Sequence, residues 1–161
     1  TLLPAWHIAP QQARIALVAL VCRVLTWQRG GALHTFAYDG PEHLDVMVDP
    51  LRFEHVVAHL LDNAVTFSPE GSAVTVQLRD HGQAGIRLSV ADEGVGISPD
   101  QREVVFQRWY RASGDGPPAG LGLGLHVTRE IVELHGGRIW IEAPERRGTR
   151  VVVTLPPSIA A

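Results

Sequence analysis

Three separated polar clusters in this chain have residue types that suit the binding of a nucleotide. In chain order they are residues 59–64 (HLLDNA), residues 92–96 (DEGVG) and residues 120–124 (GLGLG). The first offers a metal ligand, the second a group that can read a base, and the third a glycine-rich turn that can hold phosphates. Together they predict a nucleotide pocket built from distant parts of the sequence.

Each cluster has a chemistry of its own. The carboxamide oxygen of Asn63 can complete a Mg²⁺ shell, because magnesium takes few protein oxygens and keeps water and phosphate for the rest. Asp92 can accept a hydrogen bond from an exocyclic amino group, which favours adenine over guanine. Gly94 and Gly96 remove side chains where a base must lie against backbone. Residues 120–124 run into a helix start, where free N–H groups favour phosphate.

Each cluster taken alone also has an ordinary interpretation. An exposed Asn on a helix is usually a solvated surface residue, and Asp-Glu-Gly is a common turn after a strand. Glycine repeats occur in flexible loops, and residues 120–124 do not have the dinucleotide-binding spacing. The prediction therefore depends on the three clusters occurring together and in this order.

The absence of lysine excludes two common nucleotide-binding designs. All fourteen basic residues of the chain are Arg. A P-loop requires lysine directly after its glycines, and a eukaryotic-type protein kinase requires a strand lysine on the phosphates. The pocket must therefore neutralise phosphate charge in another way.

Composition indicates one globular domain. The chain has 161 residues and a net charge of −3, with no basic stripe that would predict nucleic-acid binding. The single Cys22 cannot form an internal disulfide, which fits a reducing compartment, and we expect it to be buried. The apolar run at residues 15–25 is too short for a bilayer and predicts a core helix without membrane contact.

The first half of the chain predicts two helices with two strands between them. We expect a helix at residues 11–28 and strands at 33–38 and 44–48, joined by Asp39-Gly40-Pro41 turn chemistry. A second helix opens at Asp49-Pro50 and ends near Phe67. Its apolar stripe consists of Phe53, Val56, Val57, Leu60, Leu61 and Ala64. His59 and Asn63 are four residues apart and share a different face.

The second half predicts two further strand pairs around two helices. We expect strands at 73–79 and 85–91, a short helix at 98–106, a mobile loop at 112–120, a helix at 121–134 and a hairpin at 138–143 and 149–155. The fold class that follows is α+β, a two-layer sandwich of one mixed, mostly antiparallel sheet with helices on one face.

Four sequence boxes in this order identify a resemblance. Residues 59–69 resemble an N box, 92–97 a first G box, 106–111 an F box and 120–125 a second G box. The chain, from about residue 11 to 156, resembles the ATP-binding catalytic domain of bacterial two-component sensor histidine kinases. That domain has the Bergerat-type fold, which gyrase, the heat-shock chaperone ATPases and MutL share. Residues 134–142 and Gly148-Thr149 also match, and we expect His135 to be structural.

The resemblance implies a role for each matching residue. Asn63 would hold Mg²⁺, and Asp92 would hydrogen-bond the adenine amino group with support from Thr149 through water. Arg108 and Arg111 come from the box before the mobile loop, and one of them would reach the γ-phosphate; the alternative is a salt-bridged surface pair. Gly94 and Gly96 would line the base, and Gly122 and Gly124 would approach the phosphates. The other implied nucleotide-binding residues are Ile97, Gly120, Leu123 and Leu125.

Two positions depart from the N-box pattern. His59 stands where the kinases commonly have Asn, and where the gyrase-type ATPases have a catalytic Glu. Thr66 stands where a basic residue is common, which removes one phosphate contact. His59 is therefore a further residue that could contact phosphate or water.

The expected function is that of a protein-histidine kinase. It would bind Mg·ATP and transfer the γ-phosphate to a histidine on a separate dimerisation domain, for relay to a response-regulator receiver domain. The alternatives are a degenerate nucleotide-binding regulatory module and a gyrase-type ATPase domain. We expect residues 1–10 to be a linker from an upstream phosphoacceptor domain, 11–157 the catalytic domain and 158–161 a tail. The domain would be cytoplasmic, in a parent protein that can be anchored in the inner membrane.

Overall fold

The structure is a computed structural model that describes residues 10–31, 33–107, 124–145 and 147–157. Within these ranges the chain forms three α-helices and seven strands. The helices are α1 (Leu17–Gly31), α2 (Pro50–Thr66) and α3 (Gly124–Leu134). The strands are β1 (Ala13–Ala16), β2 (Thr35–Asp39), β3 (Asp45–Val48), β4 (Ala73–Asp80), β5 (Ile86–Ala91), β6 (Arg138–Glu142) and β7 (Arg150–Leu155).

The main sheet has five strands in the order β2-β4-β5-β7-β6. Strand β2 runs parallel to β4, while the other neighbouring pairs are antiparallel. Helix α2 packs against β4 and β5, and α3 packs against β6. The predicted α+β sandwich with a mixed, mostly antiparallel sheet is therefore confirmed. The prediction of a single sheet is wrong, because β1 and β3 form a separate two-stranded sheet.

Helix α2 is the element that the sequence predicts most accurately. Asp49 caps its first turn by accepting a hydrogen bond from the Arg52 N–H at 3.3 Å, and Pro50 occupies the first helical position. All six residues of the predicted apolar stripe are buried. The stripe faces the core, so the polar face that carries His59 and Asn63 is left for the site.

The predicted helix at residues 11–28 is wrong at its start. Ala13–Ala16 is a strand that pairs with β3, with Ala13 opposite Val48, and the helix begins only at Leu17. The hydrogen-bond partners of this strand lie about thirty residues away, so no local pattern reveals them. Cys22 is exposed on α1, so the prediction that it is buried is also wrong.

Two further predictions, on the pairing of two strands and on one short helix, need correction. The strands predicted at 33–38 and 44–48 both form, but β2 joins the five-stranded sheet and β3 joins β1, so they do not form a hairpin. The predicted helix at 98–106 is two separate 3-10 turns, Pro99–Gln101 and Val104–Phe106.

His135 has the structural role predicted for it. Its Nε2 atom accepts a hydrogen bond from the Asp49 N–H at 2.9 Å, and its Nδ1 atom donates to the Ile131 carbonyl at 2.8 Å. The buried ring thus joins the end of α3 to the start of α2. Among the described residues, no helix is long and apolar enough to cross a membrane.

Candidate functional site

A pocket lies between α2, the start of α3 and the neighbouring ends of β5 and β7. It brings together residues that are far apart in sequence but were predicted to share a site. The predicted residues that line it are His59, Asn63, Asp92, Gly96, Ile97, Gly124, Leu125 and Thr149. The fold therefore assembles the described parts of all three polar clusters around one cavity.

Asp92 is held at the inner end of this pocket by backbone N–H groups. Its Oδ1 atom accepts hydrogen bonds from the N–H groups of Gly94 at 2.8 Å and Thr149 at 3.3 Å. Within the described residues its Oδ2 atom makes no hydrogen bond. Burial raises the pKa of the Asp92 carboxyl, and the two N–H groups counteract that rise. One oxygen is thus fixed by the protein while the other is left to meet a ligand.

Gly94 is required by the packing of the protein itself. A Cβ atom at this position would lie 2.0 Å from the Phe67 carbonyl oxygen and 3.0 Å from Asp92 Oδ1. The segment after Asp92 is therefore packed directly against the end of α2. The sequence predicted that glycine makes room for a base, whereas the structure shows that Gly94 makes room for backbone.

Thr149 contacts Asp92 through its backbone. Besides the N–H contact to Oδ1, its carbonyl accepts a hydrogen bond from the Asp92 N–H at 2.9 Å. These paired contacts lock the end of β5 to the start of β7. The water-mediated support that the resemblance implies for the Thr149 side chain stays a prediction.

His59 and Asn63 face the pocket from α2. Asn63 is partly buried and lies off the apolar stripe, as predicted. The ring of His59 stacks on that of His55, with centroids 6.0 Å apart and ring planes 6° from parallel. Burial lowers the pKa of His59, and the neighbouring His55 lowers it further, so the ring is neutral at pH 7.

Gly124 brings the start of α3 against the imidazole of His59. A Cβ atom on Gly124 would lie 1.9 Å from His59 Nε2. The ring of His59 is therefore at the helix end where the sequence predicts phosphate binding. Because the ring is neutral, it can donate or accept one hydrogen bond there but adds no positive charge.

We expect Gly124→Ala to weaken ADP binding by about tenfold, since overpacking at a tight contact costs roughly 1–3 kcal/mol. The new methyl group would push the His59 ring away from α3 and toward the ligand. Removing the ring should relieve this, so His59→Ala combined with Gly124→Ala should bind ADP better than the single effects predict. Calorimetry on the four proteins of this cycle measures the coupling. Losses that simply add would show that the contact has no effect on the pocket.

The sequence did not identify the apolar wall of the pocket. The sheet contributes Val90, Ile141 and Val151 to this wall. The second 3-10 turn contributes Val105, and the end of α2 contributes Phe67. These positions look like ordinary core residues in the sequence. Val95 is 78% exposed and also lines the pocket. A large apolar residue between two glycines was the one signal that could have marked it.

Several predicted residues lie outside the described part of the chain. They are Arg108, Arg111, Gly120, Gly122 and Leu123, together with the loop predicted at 112–120. Their roles stay predictions.

The metal ligands available within the described residues fit a magnesium ion that arrives with its nucleotide. No group of three or more His, Cys, Asp or Glu side chains that could hold a metal is found in that part of the chain. Asn63 supplies one neutral oxygen donor on the pocket wall. A single protein ligand suits Mg²⁺, which can take the rest of its shell from phosphates and water.

Comparison with known proteins identifies the family of the chain. The model of the family "Histidine kinase-, DNA gyrase B-, and HSP90-like ATPase" matches residues 48–159. The methanogenesis regulatory histidine kinase FilI of Methanothrix harundinacea is 41% identical over 113 residues, which are 69% of this chain and 12% of FilI. The sensor histidine kinase WalK of Bacillus subtilis is 37% identical over 116 residues, which are 70% of this chain and 19% of WalK.

Solved structures show the same fold. The mycobacterial sensor histidine kinase MprB superposes with a TM-score of 0.79 at 28% identity, over 92% of this chain and 99% of the MprB chain. The catalytic domain of histidine kinase ThkA superposes with a TM-score of 0.81 at 24% identity, over 91% of this chain and 95% of that one.

The chain therefore belongs to the family of histidine kinase-, DNA gyrase B- and HSP90-like ATPases. It spans much less than half the length of the curated relatives described above.

Proposed function

We propose that this domain binds Mg·ATP and donates the γ-phosphate to a histidine on the dimerisation domain of the same kinase. The phosphate then passes to the receiver domain of a response regulator. The observation that carries the proposal is Asp92, whose Oδ1 is fixed by two backbone N–H groups while Oδ2 is left for a ligand. An ionised carboxylate in this position accepts from an adenine amino group.

The base end of the pocket selects for a flat, apolar ring with one amino donor. Ile97, Val95 and Gly96 lie beside Asp92 and can cover the faces of the ring. A site built around one buried hydrogen bond discriminates strongly against a ligand that cannot form it. Guanine presents a carbonyl where adenine presents its amino group, so it would leave Asp92 unpaired.

The phosphate end is formed by Asn63 on α2 and the start of α3 at Gly124 and Leu125. Free N–H groups at a helix start favour phosphate. The bound Mg²⁺ would neutralise part of the phosphate charge. The protein side of the reaction is then mainly the positioning of ATP against the acceptor histidine.

Positive charge for the γ-phosphate has to come from Arg in this chain, because it has no lysine. Thr66 is exposed at the end of α2, where the resemblance expects a basic residue. Under the proposal Arg111 holds the γ-phosphate and Arg108 supports it or faces the acceptor domain. A guanidinium suits this role because it grips two phosphate oxygens at once.

A nucleotide-binding regulatory module is the second candidate. It is favoured by the neutral His59 ring against Gly124 and by the missing cation at Thr66. A gyrase-type ATPase is disfavoured because His59 stands where those enzymes have a catalytic Glu. Because the proposed reaction consumes ATP and relays phosphate, the domain would work in the cytoplasm.

Calorimetry with ADP and GDP, each with and without Mg²⁺, tests the proposal. We expect ADP to bind at least about a hundredfold more tightly than GDP, because GDP leaves a buried carboxylate without its partner. Equal affinities would contradict the role of Asp92. Autophosphorylation of the full-length parent protein then separates the two candidates, since a regulatory module would bind ADP and transfer no phosphate.

A further inference from the structure

His34 lies just before β2 and contacts Ser68, which follows α2. Its Nε2 atom is 3.0 Å from Ser68 Oγ and 3.3 Å from the Ser68 carbonyl oxygen. Ser68 Oγ donates its own proton to the Ala64 carbonyl at 2.5 Å. A carbonyl can only accept, and the hydroxyl proton is already used, so Nε2–H of His34 is the donor to Ser68.

The other ring nitrogen of His34 is the unusual one. Within the described residues, Nδ1 is the one buried side-chain nitrogen or oxygen without a hydrogen-bond partner. Such groups are rare in native proteins and require an explanation. No role for His34 is predicted from the sequence, because it has no metal-ligand spacing and belongs to none of the four boxes.

The Ser68 contact places His34 one step from the segment that carries Asp92. Phe67, the residue before Ser68, presents the carbonyl that lies 2.0 Å from where a Cβ of Gly94 would be. Gly94 in turn donates its N–H to Asp92 Oδ1 at 2.8 Å. His34 thus fixes the turn after α2, and that turn packs directly against the loop that orients the carboxylate.

The fold also places His34 near Asp92. Sheet pairing brings the two residues to the same end of the sheet, since Thr35 is opposite Ala73 and Thr75 is opposite Ala91. An ionised carboxylate can only accept hydrogen bonds, which suits an amino group as its partner.

We propose that His34 is a positioning residue for base recognition, which holds the Phe67-Ser68 turn against Gly94 and thereby sets the Asp92 carboxylate for adenine. This inference rests on the proposed function, because it requires Asp92 to be the group that reads the base. His34 has no contact with the base itself under this proposal.

His34→Ala should weaken ADP binding by about tenfold, the scale of one lost hydrogen bond to a charged or buried group. GDP does not use the carboxylate, so its affinity should not change and the ADP-to-GDP ratio should fall by the same factor. His34→Gln retains an N–H donor for Ser68 and should recover most of the ratio. Calorimetry on the whole chain with both nucleotides measures this. Ser68→Ala, which removes the hydroxyl partner, should lower the ratio as well.

Exposed His43 provides the matched control, and His43→Ala should leave both affinities unchanged. If His34 only stabilised the fold, His34→Ala would lower the thermal unfolding midpoint but leave the ADP-to-GDP affinity ratio unchanged below that temperature. That result would overturn the inference. If His34→Ala does not fold, Ser68→Ala decides, and a wild-type ADP-to-GDP ratio in Ser68→Ala would reject the inference. Absence of ADP binding by the wild-type chain would reject the proposed function and this inference together.

Discussion

Asp92→Asn should replace the proposed adenine preference of the pocket with a preference for guanine. The amide oxygen of Asn can keep the two N–H contacts that Gly94 and Thr149 now make with Oδ1. The amide nitrogen then takes the place of Oδ2, where it opposes the amino group of adenine and pairs with the carbonyl of guanine. We expect ADP affinity to fall by about a hundredfold and GDP affinity to rise.

The same substitution should not destabilise the protein at neutral pH. Burial raises the folded-state pKa of Asp92, so its contribution to stability is present at low pH and is lost as the pH rises through that pKa. At pH 7 the wild type therefore carries the cost of a buried, ionised carboxylate, and Asp92→Asn does not. The thermal unfolding midpoint of the variant should equal or exceed that of the wild type at pH 7. The difference should disappear in acid, where Asp92 is protonated.

Glu93→Gln is the matched control, because Glu93 is exposed next to Asp92 and its Oε1 atom accepts from the Ala73 N–H at 2.6 Å. A glutamine oxygen preserves that contact, so both nucleotide affinities should be unchanged. Calorimetry with ADP and GDP on the two variants gives the comparison. If Asp92→Asn still preferred ADP, another group would be reading the base.

The sequence predicts an element correctly where the local residue pattern alone determines the structure. The stripe of α2, its Asp49 cap and the strand pairs β4–β5 and β6–β7 follow from residues that are close in sequence, and the structure confirms them. The prediction is wrong for Ala13–Ala16, which overlaps the start of the apolar run at residues 15–25 and was assigned to the same helix. That segment is a strand only because β3 offers it a hydrogen-bonding edge, and this is a tertiary effect that overrides propensity.

The site residues that can be predicted are likewise those whose own type and sequence neighbours indicate their chemistry. Asn63, Asp92 and Gly124 could be found because their types and neighbours suit nucleotide chemistry, and the fold does bring them to one pocket. His34 and Phe67 could not be found, because their importance comes from contacts with Ser68 and Gly94 that only the folded chain creates. A residue that acts by positioning another residue has no characteristic pattern in its local sequence.

Asn63→Ala should abolish the effect of Mg²⁺ on nucleotide binding while leaving the fold intact. Asn63 lies off the apolar stripe, so its loss opens no core cavity, and alanine is a better helix former. The backbone carbonyl of residue 63, which accepts from the Phe67 N–H at 3.0 Å, is retained. What disappears is the carboxamide group, which lines the pocket and would supply the oxygen ligand for Mg²⁺.

The experiment compares ADP affinity with Mg²⁺ and with a chelator. In the wild type, Mg²⁺ should strengthen binding by about tenfold or more, on the scale of one contact to a charged group. In Asn63→Ala the two affinities should become equal, at the value that the wild type has without metal. Asp62→Asn is the control, because that neighbouring side chain is exposed and faces Gln28 on α1 instead of the pocket. A variant that keeps the Mg²⁺ effect, or that has a lower unfolding midpoint, would show that Asn63 is not the magnesium ligand.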